Sequence, residues 1–282
     1  MVRVFVTARN PVVSVVMPVY RNDDYLAESI GSILGQTYRD LEIILMCDDP
    51  SEKTRAIIAG FQGSDKRIRV FYRERKGLIS SLNEGISLAT GTYIARMDAD
   101  DISYPDRLEK QVGFIEAHPE CALVAAQVEW INESGDLIGR WKTDHQADTA
   151  CKIRKILPRE NCLAHPTVLI RRSITSRYRY DPHQKNTEDY DVWLRMTSDS
   201  QVLCKVPEIL LKLRIHPLSI TSSSKKTSLG SDKIRCKARY LAAEIRRGRI
   251  SFFNLKVFFY LVMNCGIWPV RYIQSKIIRT SP

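Results

Sequence analysis

Three carboxylates, Asp98, Asp100 and Asp101, fall within four positions directly after the apolar run TYIARM. Aspartates crowded at the end of a buried strand repel one another unless a cation relieves them, and hard oxygen donors suit Mg2+ or Mn2+. Such ions take one or two protein carboxylates and complete their shell with water and substrate phosphates, so the segment points to a phosphate-bearing substrate. The same letters also fit a solvated acidic turn or a capped helix N-terminus. No GxxxxGK[ST], GxGxxG or GxSxG occurs, which excludes the common phosphate-cradling loops and the simplest hydrolase. Further carboxylates stand at Asp48 and Asp49 after LEIILMC, and at Glu188 and Asp189 in TEDYDVWLRM. In the latter, Thr187 followed by acids is also a good helix-capping sequence. His165 and His216 each precede a proline, which favours loop positions over helix interiors. Trp193 has the shape to stack on a sugar, but a Trp on an amphipathic helix is core at least as often.

To act together these groups need a scaffold whose strand ends meet. Residues 12–20 are an unbroken apolar run rich in β-branched side chains, and with Pro18 as its stop they predict a strand buried on both faces. Residues 23–36 carry apolar positions at helical spacing behind Asp23 or Asp24 as N-cap, and 41–47 predict a second strand. A helix at 52–62, a strand at 68–72, a helix at 78–89 and a strand at 92–97 continue the alternation. That βαβαβαβ order implies a parallel sheet with right-handed crossovers and helices on both faces. Ligands bind beyond the carboxyl ends of such strands, where Asp48, Asp49, Asp98, Asp100 and Asp101 are expected to converge on one rim. After Leu108 the pattern loosens into a helix to about residue 117, a strand over 121–131, a helix near 147–157, and a helix starting near 187. Residues 206–221 close the body.

Composition bounds the class. The 282 residues are 44% apolar and 27% charged, with 13 Gly and 12 Pro in no period: a soluble globular protein, neither disordered nor a solenoid. Seven cysteines without a CxxC pair predict reduced thiols rather than a disulfide framework or zinc knuckle. The net charge of +11 lies entirely in residues 225–282, which hold thirteen Lys/Arg against two Asp/Glu, so the remainder is neutral. A nucleic-acid partner is therefore not expected, because an acidic rim repels a phosphate backbone. The opening MVRVFVTARNP lacks the apolar core of a secretory signal, so the body is expected on the cytoplasmic side. In the tail the longest charge-free stretch, 257–270, has fourteen residues, short of the roughly twenty that cross a bilayer. Aromatics including Tyr260, Trp268 and Tyr272 between Lys/Arg clusters predict a basic amphipathic helix lying on an anionic membrane surface. A helical pair packed on the body is the alternative.

The runs VSVVMPVYRNDDYLAESIGSILGQTYRDLEIIL and GLISSLNEGISLATGTYIARMDADDISYPDRL, in this order and spacing, resemble the inverting family 2 glycosyltransferases of the GT-A fold, of the bacterial polysaccharide or O-antigen type, over residues 12 to about 221. The resemblance implies a Rossmann-like, mostly parallel sheet flanked by helices in residues 1–224, with a nucleotide-sugar half (12–105) and an acceptor half (106–224), followed by the basic helical extension (225–282). It implies a UDP-sugar donor, Mn2+ or Mg2+, and an acceptor bound by the C-terminal half; together with the membrane-surface tail this gives a lipid-diphosphate-linked sugar as acceptor and an enzyme peripheral on the inner face of the cell membrane. Glucose and galactose are the favoured hexoses, joined in a β linkage. Position by position, Pro18 and Tyr20 resemble the nucleobase pocket and Asp49 the carboxylate that accepts a hydrogen bond from the uracil N3–H. Arg75 and Asn83 match further nucleotide contacts, Asp98 the ribose and metal neighbourhood, and Asp100 the metal ligand, with His216 as a third ligand. Asp189 matches the catalytic base and Glu188 an acceptor contact, with His165 near the acceptor; Trp193, on its residue type alone, joins the acceptor-side candidates. The usual DDGS after the second strand is here DDPS, so Pro50 alters the loop path. A metal-dependent nucleotidyltransferase and a non-enzymatic binder of anionic lipid or nucleic acid are the alternatives. The first lacks a basic Gly-rich triphosphate loop, and the second leaves the acidic rim unexplained.

Overall fold

The β-branched run becomes β1 (Val13–Val19), flanked in parallel by β2 (Leu41–Asp48) on one side and β4 (Tyr93–Arg96) on the other, with β3 (Ile68–Arg73) parallel to β2. The computed structural model describes residues 12–21, 23–184, 186–217, 219 and 229–277, with residues 229 and 266–277 by backbone alone. The readings made on residues 1–11, 220–228 and 278–282 and on the side chains of Trp268 and Tyr272 lie outside the described residues. Successive residues of β1 point to opposite faces. Val13, Val15 and Met17 join the core beneath α1 (Leu26–Leu34), α2 (Glu52–Gln62) and α4 (Arg107–Ala117), while Val16 packs with Ile44, Met46 and Ile94 under α3 (Leu78–Leu88). Helices therefore cover both faces, as expected of buried parallel strands.

Beyond β4 the sheet is mixed. Its strand order is β3-β2-β1-β4-β8-β6-β9-β5, with β7 (Leu137–Arg140) against β6. Here β8 (Leu169–Arg171) lies antiparallel between β4 and β6 (Cys121–Ile131), and β9 (Val202–Arg214) runs parallel to β6 and antiparallel to the short β5 (Ile102–Ser103). The β6–β9 register shifts between Ala126 and Gln127, which face Val206 and Ile209. Pro207 falls in that gap, where a residue without an amide proton costs the ladder nothing.

Four expectations change. Pro18 does not stop β1 but lies inside it, facing Met46 of β2; the β4 ladder ends at Val16, so no partner on that side asks Pro18 for a proton. Asp23 does not cap α1, whose N-cap is Tyr25 without a side-chain bond. Asp23 instead accepts from Ser51, at 2.7 Å, and from Thr54, both at the start of α2. The helix expected near 147–157 is two short ones, α5 (Lys142–Gln146) and α6 (Ala150–Ile156). The cysteines are not all thiols: Cys121 and Cys204, 83 residues apart, are joined by a disulfide with Cα atoms 6.0 Å apart, because β6 and β9 are neighbours. Cys47, Cys151, Cys162, Cys236 and Cys265 are free.

After α7 (Arg172–Thr175) and α8 (Glu188–Ser198) come α9 (Leu229–Arg246) and α10 (Phe252–Ile277). Cys236, Tyr240 and Leu241 of α9 and Phe253 and Val257 of α10 are buried in one cluster with Tyr190, Trp193 and Leu194 of α8. The start of the tail is thus built into the body. Among the described residues no helix is long and apolar enough to cross a membrane.

Candidate active site

At the end of β4 the strand alternation persists for a few residues: Met97 and Ala99 turn into the core while Asp98 and Asp100 face out. Asp101 is buried, and one carboxylate oxygen from each of Asp98, Asp100 and Asp101 lies within 4.8 Å of the others. The turn is held by residues more than a hundred positions away. Arg214, at the end of β9, donates its amide to Asp101 Oδ1 and its Nε to the Asp100 carbonyl, both at 2.9 Å, and binds Glu28 at 2.5 Å. His216 Nε2 then sits 2.9 Å from Asp100 Oδ2. Asp101 Oδ2 is buried without a hydrogen-bond partner.

A divalent cation fits this donor set. The oxygens are hard and mutually close, the orphaned Asp101 oxygen wants a positive partner, and the imidazole of His216 adds a nitrogen. Burial, then the neighbouring Asp100, raises the Asp98 pKa to about 6 even though Arg96 opposes it. Burial with Asp100 and Asp98 pushes Asp101 well above its ordinary value. Two acids, Asp98 and Asp101, whose ionisation is opposed by burial and by neighbouring carboxylates mark a site short of positive charge.

The N-terminus of α8 brings in the second acidic pair. Asp189 Oδ1 accepts from the Tyr190 amide and Oδ2 from Asn161 Nδ2, each at 2.7 Å. Burial raises Asp189, while those two hydrogen bonds lower it. Burial, then Asp189, raises Glu188 to about 7. Asp98 and Asp189 each feel the buried guanidinium of Arg96, and Asp98 feels Asp189. The acids at the end of β4 and at the start of α8 are therefore electrostatic neighbours, with Arg96 acting on both groups and paired directly to Asp98.

Arg96 and Tyr180 were missed in the sequence. Arg96 left a signal, a charge inside an otherwise apolar strand; Tyr180 and Asn161 left none. The Tyr180 hydroxyl meets His165 Nε2 at 2.8 Å, and its ionisation is raised first by burial and further by Asp189, Glu188 and Asp98. His165 is buried, and its burial and then Arg96 lower its pKa well below the ordinary value, so a neutral imidazole meets the Tyr180 hydroxyl.

Trp193 is corrected outright. It is 1% exposed in the core, edge-on to His165 with ring centres 6.1 Å apart, because position 193 falls on the buried face of α8. It offers no platform to a sugar. Asn83 uses its amide on the backbone of Tyr180, donating at 2.9 Å and accepting at 3.0 Å, which ties α3 to that residue.

The five rim carboxylates also divide. Asp48 is buried on Arg73, at 2.5 Å, and accepts from the amides of Lys76 and Gly77, which shapes the loop into α3. Asp49 is exposed, with φ 47°, and lines a hollow of about 440 Å3 with Pro50, Arg21, Asp23 and the start of α2. Pro18 and Tyr20 are half-buried, and the Arg75 guanidinium lies 4.7 Å from the Tyr20 ring centre. An aromatic ring backed by a cation suits a planar, anionic ligand.

The profile described as Glycosyl transferase family 2 matches residues 14–179. An uncharacterized glycosyltransferase of Methanocaldococcus jannaschii is 33% identical over 261 residues, 90% of this chain and 89% of the relative. The O-antigen biosynthesis glycosyltransferase WbnJ of Escherichia coli is 35% identical over 216 residues, covering 75% of this chain and 83% of that one. Among solved structures, S. aureus TarS 1-349 in complex with UDP superposes with a TM-score of 0.64 at 15% identity, over 90% of this chain and 70% of that one. The mannosyltransferase PcManGT of Pyrobaculum calidifontis, in complex with GDP-Man and Mn2+, gives 0.63 at 16% identity over 98% of this chain and 77% of its own. The acidic cluster lies on the architecture of these enzymes, and the chain belongs to glycosyl transferase family 2, a glycosyltransferase of the GT-A fold.

Proposed function

We propose that the protein is an inverting hexosyltransferase that moves a hexose, glucose or galactose foremost, from a UDP-sugar to a lipid-diphosphate-linked sugar in surface polysaccharide synthesis. The relative WbnJ carries O-antigen biosynthesis in its name, and AmsE of Erwinia amylovora, 27% identical over 93% of this chain and 96% of its own, carries amylovoran biosynthesis. What supports the reading is the cluster of Asp98, Asp100 and Asp101 at the end of β4, with Glu188 and Asp189 within electrostatic reach of Asp98 and of Arg96.

Asp100, Asp98 and His216 would hold the Mn2+ or Mg2+, with Asp101 fixed behind them. When bound, the ion neutralises the diphosphate and eases its departure. Pro18, Tyr20, Asp49 and Arg75 would seat the nucleotide, Asp49 taking a hydrogen bond from the base. Asp189, its carboxylate oriented by Asn161 and the Tyr190 amide, takes the proton from the acceptor hydroxyl as that oxygen bonds to the anomeric carbon. The bond from that carbon to the diphosphate breaks with inversion, converting an α-linked donor to a β-glycoside. Glu188, as a neighbouring acid with a pKa near neutrality, is suited to hydrogen-bond the acceptor. The exposed apolar face of α10 and the cationic tail support work at an anionic membrane surface.

The test is UDP release from a panel of UDP-hexoses with Mn2+ and a synthetic sugar-diphosphate-lipid. One donor should turn over and EDTA should stop it; silence across the panel, or release indifferent to EDTA, contradicts the reading.

A further inference from the structure

Where α9 turns into α10, at the far end of α8 from Glu188, four arginines gather. Arg177, Arg195, Arg247 and Arg249 line a hollow of about 250 Å3 together with Tyr178 and Asp199. Asp199 organises it, accepting from the Tyr178 hydroxyl at 2.8 Å and pairing with Arg177 at 2.7 Å and with Arg249. Asp191 holds Arg195 at 2.8 Å and Glu244 holds Arg247 at 3.2 Å. Arg177, Arg247 and Arg249 nevertheless keep side chains 59%, 53% and 43% exposed. A guanidinium has five N–H donors in a planar fork, so these ion pairs leave donors over, and the fork matches phosphate oxygens two at a time.

The same corner is the most apolar part of the described surface. Eight of the eleven exposed large hydrophobic side chains fall between Ile245 and Met263. Ile245, Ile250 and Phe252 surround the turn at 70%, 83% and 73% exposure. Phe252, Leu255, Phe259 and Val262 continue along α10, at spacings of three and four, on the face opposite the buried Phe253 and Val257. A helix apolar on both faces needs cover on both. A second copy of the chain would bring two arginine corners together. An anionic bilayer supplies phosphates to the arginines and hydrocarbon to the stripe at once.

We propose that this corner is a headgroup site for an anionic phospholipid, in which Arg177, Arg195, Arg247 and Arg249 take the lipid phosphate while Ile250, Phe252, Leu255 and Phe259 enter the interface. The inference rests on the membrane reading above and adds to it a specific pocket and an orientation. The eleven residues of α8 then hold Glu188 and Asp189 about 16 Å from the headgroups, within reach of a tethered acceptor.

Co-sedimentation of the full chain with vesicles of phosphatidylcholine, alone or with phosphatidylglycerol, tests it. The wild type should partition to the phosphatidylglycerol vesicles and little to phosphatidylcholine. R247Q/R249Q should bind them about thirtyfold more weakly, which corresponds to ~2 kcal/mol at about 1 kcal/mol per basic residue. R235Q/R239Q, earlier on α9, should change binding less than threefold. Equal loss in both pairs overturns the pocket and leaves the membrane reading standing, whereas a wild type that ignores both vesicles overturns both. Stabilisation by inorganic phosphate as large as that by vesicles assigns the hollow to a soluble anion, and a dimer without lipid that Phe259→Ser dissociates assigns the stripe to a second copy; either overturns the proposal. If R247Q/R249Q fails to fold by circular dichroism, Ile250→Asp takes its place, and wild-type vesicle binding by that variant overturns the docking face.

Discussion

Arg96 is a buried cation bearing on Asp98, Glu188 and Asp189 at once. Breaking a buried charge network by removing one partner costs about 3–5 kcal/mol. Arg96→Met should therefore lower the urea midpoint and depress UDP release by on the order of a hundredfold, with Arg96→Lys recovering part of both because a point charge remains. Proton linkage gives a second prediction. The folded pKa of Asp98, about 6, and of Glu188, about 7, lie above their ordinary values of 3.8 and 4.5. Between those limits these two carboxyls bind more protons in the folded metal-free protein than in the unfolded chain, so the part of the stability they set declines as pH rises from about 4 through 7, while the buried neutral His165 works in the opposite direction. Thermal unfolding at pH 5 and pH 8 should show a smaller loss of stability toward pH 8 in Asp98→Asn/Glu188→Gln than in the wild type, and Mn2+ should reduce the wild type's loss at pH 8. The acidic groups themselves were legible in the sequence. Asp100 and Asp189 stand out because carboxylates beside buried runs are costly and need a reason. Trp193 misled because a wide aromatic suits a sugar as well as a core, and only the burial of α8 decides between them.

At the scale of elements, the strands and helices through β4 were readable because each is a local period of two or about four residues. β8 and β9 were not. β8 is three residues long, and β9 is interrupted by charges and Pro207, and its pairing with β6 depends on chain 83 residues away at the disulfide. A thiol count on denatured, unreduced protein should find five free cysteines of seven; seven would contradict the Cys121–Cys204 bond. The approach of the α3–β4 connection to β1 is also specific. A Cβ at Gly91 would meet the Ser14 amide nitrogen at 2.7 Å and the Val13 carbonyl carbon at 2.9 Å. Gly91→Ala should cost roughly 1–3 kcal/mol, as overpacking against backbone does, measured by denaturant unfolding.

On the scale of the whole molecule, charge and packing assign the tail two faces. Its excess of positive charge sets it apart from a neutral body, yet Cys236, Tyr240, Leu241, Phe253 and Val257 are core residues. Each large apolar side chain buried is worth about 1.5–3 kcal/mol, against a total stability of about 5–15 kcal/mol. Deleting residues from Leu229 onward should thus yield aggregated or unfolded protein rather than a lipid-free enzyme, as read by solubility and circular dichroism. The central claim is that acids at the end of β4 and the start of α8 act on one donor sugar. Its most direct test is Asp189→Asn, assayed for UDP release with Mn2+, donor and acceptor, alongside UDP-sugar binding by calorimetry. The account predicts transfer reduced by about 10²–10⁴-fold, the usual worth of a general base, with donor affinity within about twofold of wild type because Asp189 takes no part in seating the nucleotide. Wild-type turnover by Asp189→Asn would contradict it.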